Sequence, residues 1–341
     1  MTDLTFTGLE AHNPLGLFAA LGLLRVLARD ARATQRAAPR LGFVDQGTFV
    51  ARFVAPYTRD EVIAAVLRNA AAQSDNVALQ FAYSKDGVPI TATAPGAIRD
   101  LKPSPDGARA LLDGAATAER WIADQAAAWF SELIQDNNDR TKPTAFHFTA
   151  GQQAFLAMVE DLRAGLTPDH LREALDGPWL NTSQLPSLSW DASVARQYAL
   201  RAGNPAKEKR GSVPGANWLA VLGLAFFPVV VRGERLVTTA VRGGWKDAVF
   251  TWPVWSPPAE ATAIASLLRL DPTAWTQRER AAYGIDIVFS SRILRSDQGG
   301  YGSFSPAEVV RPAATRTRGP RADRDHPGRP AVRAAPRSPK R

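Results

Sequence analysis

Two stretches dictate what this chain can become: "NPLGLFAALGLLRVL" at residues 13–27 and "PGANWLAVLGLAFFP" at residues 214–228. Each is almost wholly apolar and carries glycine inside a helical pattern. A helix that is apolar nearly all round has to be enclosed by other elements. Asn13 is a good N-cap, and Pro14 suits the first helical position, where no backbone donor is needed. Arg25, Arg29 and Arg32 fall four and three apart, which gives the first helix one wet edge. Gly16 and Gly22 weaken the helix locally, so another backbone is expected to pack closely there. The stretches share an echo, Ala19-Ala20-Leu21-Gly22-Leu23 and Ala220-Val221-Leu222-Gly223-Leu224, compatible with duplicated lobes.

Around these helices the pattern alternates irregularly between helix and strand. "LTFTGLE" opens as a strand, and "LGFVDQGTFVARFV" reads as a hairpin turning at Asp45-Gln46-Gly47. Thr58 with Glu61 forms a capping box, and Thr149 with Gln152 forms a second ahead of "QQAFLAMVEDLRAG". "VALQFAYS" reads as a strand, 85–107 as a long loop, and 117–136 as one helix bearing Trp121 and Trp129 on one side. Thr167-Pro168 opens a helix that stops at Gly177-Pro178. "VVVRGERLVTTAV" and "DAVFTWPVW" form an antiparallel meander, "PAEATAIASLLRL" a helix, and "IDIVFSSRILRS" a strand that closes the ordered part. Mixed elements without strict alternation predict an α+β fold with antiparallel sheet. The length of 341 residues suits two lobes, 1–145 and 146–310, followed by a disordered tail, 311–341.

The net charge of +8 belongs to that tail, which holds ten Lys+Arg against two acids. The remaining 31 basic and 31 acidic groups cancel, so global charge says nothing about the body's partners. Cysteine is absent, which excludes disulfides, thiolate metal sites and a cysteine nucleophile, and fits a reducing cytoplasm. The first residues do not read as a signal peptide, and no transmembrane helix is expected.

A search for catalytic patterns returns little. His12, His147, His170 and His326 show no metal-ligand spacing, and no phosphate-loop, dinucleotide or nucleophile-elbow motif occurs. No cofactor is expected. Asp191 in "LSWDASVARQYAL" is a candidate general base with His12 or His147, as in a hydrolase or nuclease; the plain alternative is a turn cap or a partner for Arg196. Asp136-Asn137-Asn138-Asp139 reads as turn chemistry rather than a metal loop.

Binding features are better represented. "RQYALRAGNPAKEKRG" gathers Arg196, Tyr198, Arg201, Lys207, Lys209 and Arg210, cations with an interleaved ring that suit a nucleic-acid backbone and a stacked base. A solvated connector is the plain alternative. Tyr301, at the tip of the glycine loop "SDQGGYGSF", is a further candidate ring. A third reading is a protein-only scaffold with Trp252 and Trp255 as a hot spot; core or edge packing is the plain and commoner alternative for both.

Three stretches, "NPLGLFAALGLLRVL", "FHFTAGQQAFLAMVEDL" and "LPSLSWDASVARQYAL…PGANWLAVLGLAFFP", resemble CRISPR-associated proteins of the type I-U (I-G) systems. The resemblance rests on Asn13-Pro14, Ala150-Gly151-Gln152-Gln153, Trp190-Asp191 and the 215–228 segment, spreads over most of 1–295, and leaves the tail uncovered. It implies an accessory or large-subunit-like component of a crRNA-guided interference complex. The partners it implies are crRNA or target DNA and other CRISPR-associated subunits, with no membrane. It carries over no catalytic residue. In such complexes base pairing reads sequence while protein holds backbone, which is work for cationic loops.

Overall fold

A computed structural model describes residues 1–74, 76–80, 99–149, 153–193, 211–295 and 301–314. β1 (Thr2–Glu10) turns into α1 (Pro14–Ala33). Asn13 caps α1 as expected, its Oδ1 accepting from the Leu15 N–H. β2 (Arg40–Asp45) and β3 (Phe49–Ala55) pair through a turn in which Asp45 accepts from the Gly47 N–H. β1 adds to the other edge of β3, giving the antiparallel order β1-β3-β2. α2 (Arg59–Ala72) opens with both arms of the Thr58–Glu61 capping box in place.

The middle of the chain departs from the sequence expectation. The span 117–136 is not one helix. α3 (Pro105–Thr117) and α4 (Arg120–Ala126) are short, and β4 (Phe130–Gln135) then pairs with β5 (Thr141–Pro143). Trp121 therefore lies on α4, while Trp129 sits in the turn before β4 and donates to Ala78 O. Residues 77–80 of the expected "VALQFAYS" strand form a turn, in which Asn76 accepts from the Ala78 N–H. α5 (Phe155–Ala164) and α6 (Pro168–Asp176) follow. Thr149 does not cap α5. Its hydroxyl is engaged by His147, and the Phe155 N–H donates to Asp100 instead. Gln152 lies outside the described residues.

α7 (Pro214–Gly223) leads through a 3-10 turn to the ribbon of β6 (Val229–Arg232) and β7 (Arg235–Thr238). β8 (Val241–Arg242), β9 (Val249–Trp255), α8 (Ala261–Leu267), α9 (Gln277–Ala282), β10 (Ile285–Arg295), β11 (Gly302–Phe304) and β12 (Glu308–Val309) complete the chain order. Strands β11-β10-β9-β8, with β12 also on β10, make a five-stranded antiparallel sheet. The fold is α+β, with nine α-helices among the described residues. β10 does not close the ordered part. Buried Arg280 donates to Val310 O and Arg311 O, and Ala313 donates to Trp275 O, so the first residues of the expected tail pack on α9. Residues 315–341 lie outside the described residues.

The echo between the two apolar helices has a physical counterpart. A Cβ on Gly22 would collide with Leu219 O, and a Cβ on Gly223 would collide with Phe18 O. Phe18 stands four before Gly22 as Leu219 stands four before Gly223, so each helix offers its glycine to the equivalent carbonyl of the other. Beside this crossing, Phe18 contacts the rings of Phe146, Trp190, Phe227, Phe250 and Phe304. Each such ring pair adds about 0.5–1.5 kcal/mol beyond area burial. The resulting hydrophobic cluster takes residues from both 1–145 and 146–310.

The wet edge of α1 is narrower than its charges suggest. Arg25 is buried, donates to Gln125 Oε1, Leu222 O and Trp121 O, and lies 3.7 Å from the Trp121 ring centroid. Burial pushes its pKa down to about 9; Asp124 partly opposes the shift, and the neighbouring Arg29 adds to it. Trp252 and Trp255 are fully buried, with indole N–H groups on Ala11 O and Leu41 O, so they follow the core-packing reading and not the hot-spot alternative. They are core residues that join β9 to the first sheet. No helix among the described residues is long and apolar enough to cross a membrane.

Candidate nucleic-acid interface

Six of the seven expected contact residues, Arg196, Tyr198, Arg201, Lys207, Lys209 and Arg210, lie outside the described residues. The flanks of their segment are described. Asp191 Oδ1 accepts from Asn13 Nδ2 at 2.8 Å and from the N–H and hydroxyl of Ser193, and Asn13 Oδ1 accepts from the Ala192 N–H. On the far side, Ser212 exchanges a strand bridge with Ser183 just before α7 begins. Both flanks are thus fixed at the starts of the two crossing helices.

Tyr301, the seventh, is described and partly exposed, at 36%. It precedes Gly302, whose register partner is Arg295 at the end of β10. Arg295 is the centre of a surface that the sequence reading missed. Its two terminal nitrogens donate to His147 O at 3.0 Å and Ala145 O at 2.7 Å, which fixes the plane of the guanidinium. That plane lies 3.9 Å from the Trp245 ring centroid and 5.5 Å from that of Phe148. Burial lowers the Arg295 pKa to about 10, still well above neutrality, so the group is a cation at pH 7.

Trp245 stands in the β8–β9 turn. Gly243 takes φ +84°, where a Cβ is strained, and Asp247 Oδ1 accepts from the Gly244 N–H at 2.6 Å. This closed turn leaves Trp245 and Lys246 pointing outward, with Trp245 58% exposed. It is the sole exposed tryptophan of the nine. Exposed Arg292, three residues before Arg295, carries a further cation on the same strand. An outward indole braced by a fixed guanidinium, with Lys246 beside it and Tyr301 next to the same arginine, can stack an unpaired base and hold a phosphate. The signal in the sequence was "RGGWKD": an aromatic inside a glycine turn has no strand alternation to bury it.

The acid–base candidates have separate partners. His12 is exposed, with its ring nitrogens near Thr48 Oγ1 and Glu10. His147 is buried, and its Nε2 lies 2.7 Å from both Asp100 Oδ1 and Thr149 Oγ1. Burial alone would raise the Asp100 carboxyl. The hydrogen bond and charge of His147, with the Phe155 and Leu101 N–H groups, outweigh it and hold the carboxyl below its usual range. Asp100 thereby caps the start of α5 while fixing the ring whose backbone carbonyl seats Arg295. Asp191 makes no described bond to a histidine, and its Oδ2 is buried without a hydrogen-bond partner among the described residues. Asp136 accepts from the Asn138 and Arg140 N–H groups, the turn role expected of it. No group of three or more His, Asp or Glu among the described residues is placed to hold a metal.

Compared with known proteins, the chain matches no family model, no curated protein and no solved structure.

Proposed function

We propose that the chain is a non-catalytic subunit of a crRNA-guided CRISPR interference complex of the type I-U (I-G) kind, working in the cytoplasm and holding RNA or target DNA. The observation that carries the nucleic-acid part is the Trp245 platform: an exposed ring, a cation fixed at 3.9 Å from it, and Lys246 alongside. The assignment to this kind of complex rests on the resemblance of the three quoted stretches. The expected cations Arg196, Arg201, Lys207, Lys209 and Arg210 would add backbone contacts, which give affinity without sequence preference.

The test is binding of fluorescently labelled single-stranded RNA, single-stranded DNA and duplex DNA, followed by anisotropy across a salt series. Wild type binds the single strands. W245A loses about 1–3 kcal/mol of that affinity, roughly five- to 150-fold. K246A reduces the log–log salt slope by about one while leaving base preference unchanged. Unchanged single-strand binding by W245A would remove the platform from the reading. Turnover of the bound strand, abolished by D191N, would replace it with the hydrolase reading.

A further inference from the structure

The β6–β7 ribbon is built unlike the rest of the fold. Its turn is Gly233-Glu234, with Gly233 at φ +60°. Side chains alternate across it. Val230 pairs with Val237, and on the same face, two rungs nearer the tip, Arg232 pairs with Arg235. Val230 is 55% exposed and Val231, on the other face, 37%. A two-stranded ribbon is marginal in water by itself, and exposed valines on both faces give it little of its own to bury.

Two features of the Val230 face point to an occupant. The first is a groove of about 430 Å³, lined by Val230, Val237, Leu268, exposed Leu270 and Arg269. The second is charge. Arg232 and Arg235 are directly opposite, an arrangement that destabilises a hairpin. Neither they nor Arg269 has a carboxylate partner among the described residues, although Glu234 lies between the first two in sequence. Arg242, on the groove wall, is by contrast paired with Asp271.

We infer that this groove docks an acidic amphipathic segment of a partner protein, with apolar side chains against Val230, Val237 and Leu270 and carboxylates on Arg232, Arg235 and Arg269. Carboxylates from outside relieve the like-charge pair, and apolar side chains cover the valines. A nucleic acid supplies the charge but not the apolar surface, and no aromatic ring lines the groove for a base to stack on. A second copy docked ribbon to ribbon would bring four arginines together.

The experiment pans a random peptide display library on the full-length chain, then measures the enriched peptides by anisotropy. Enrichment of peptides combining Leu, Ile or Phe with Asp or Glu is expected. Their affinity falls about tenfold or more in V230D and in R232E/R235E, and stays unchanged in V309D, an exposed valine on β12. Peptides with Lys in place of their acids regain affinity for R232E/R235E. All three variants lie at exposed positions and keep the wild-type thermal midpoint. The inference is overturned if no such peptides enrich, or if they bind V230D and R232E/R235E as well as wild type. Displacement of the peptides by a duplex oligonucleotide at equal charge, or loss of a chain dimer in V230D by sedimentation, would assign the groove to those occupants and end it too.

Discussion

The α1–α7 crossing and the outer surface of the second sheet use the same residue types to opposite ends. At the crossing, glycine removes a side chain so that two backbones meet, and every neighbouring ring is enclosed. In the β8–β9 turn, glycine gives the chain a conformation that leaves a tryptophan outside. Arginine divides the same way. Arg25 spends its donors on Gln125 and two carbonyls beneath Trp121 and ties α1 to α4 and α7. Arg295 spends its donors on two carbonyls so that its face braces an exposed ring. The two cation–ring contacts differ in cover: Trp121 is partly buried within the fold, while Trp245 stands exposed.

Substitutions that touch only one side of that comparison test it, and the crossing has the larger effects. G22A and G223A each place a Cβ against a backbone carbonyl that no side-chain rotation can move. Each is expected to cost about 3 kcal/mol or more, the upper end for overpacking, measured by urea unfolding. The double variant is expected to cost less than the sum, because one displacement of the helices relieves both clashes. Additive losses would mean the glycines act independently. Next comes R25M. Its stem keeps its packing near Trp121, but Gln125 Oε1, Leu222 O and Trp121 O all lose this donor, at about 3 kcal/mol in total. Replacing buried charge with apolar volume is sometimes neutral. An unchanged midpoint in R25M would show that the arginine is no clamp.

One side of the crossing was legible in the sequence, the close approach at Gly22, because its requirements are local; that α7 is the partner was not. Glycine inside an apolar helix has few explanations, and Asn13-Pro14 announces a helix start whatever surrounds it. The surface was not. Arg295 reads as one charged position on a strand, and only the fold brings Ala145 O, His147 O and Trp245 to it. Asp100 and His147 are 47 residues apart and meet through the packing of α5, so no spacing rule connects them. Thr149 misled for the same reason: its hydroxyl suits a cap, and a buried imidazole bound it first. Trp252 and Trp255 around Pro253 admit both a core and an interface reading in one dimension, and the fold selects the core. Their indole donors go to carbonyls over two hundred residues away.

D100N addresses the link between the two regions and has a smaller expected effect. The Asp100 carboxyl is held below its usual range when folded. Its contribution is therefore present above the unfolded value, about 3.9, and lost as pH falls through the folded value. D100N is expected to cost about 1 kcal/mol at neutral pH and to flatten part of the acid limb below about pH 4. Asp3, Glu61 and Glu160 are lowered by their own partners and keep the remainder of that limb. Identical acid limbs in D100N and wild type would mean that His147 is held by packing alone.

W245A against W252A is the sharpest form of the comparison, since the first side should barely register in stability. Trp252 is fully buried, stacks on Phe250 at 4.6 Å and bonds Ala11 O, so its truncation is expected to cost about 3–5 kcal/mol. Trp245 rests on the Arg295 guanidinium, which keeps both of its carbonyl bonds when the indole is gone. W245A is expected to shift stability by no more than about 0.5 kcal/mol in urea. A ring kept outside at no benefit to folding needs another reason to be aromatic, and stacking supplies one. If W245A instead unfolds the chain as readily as W252A, the indole is a lid over Arg295, and the exposed surface belongs with the core.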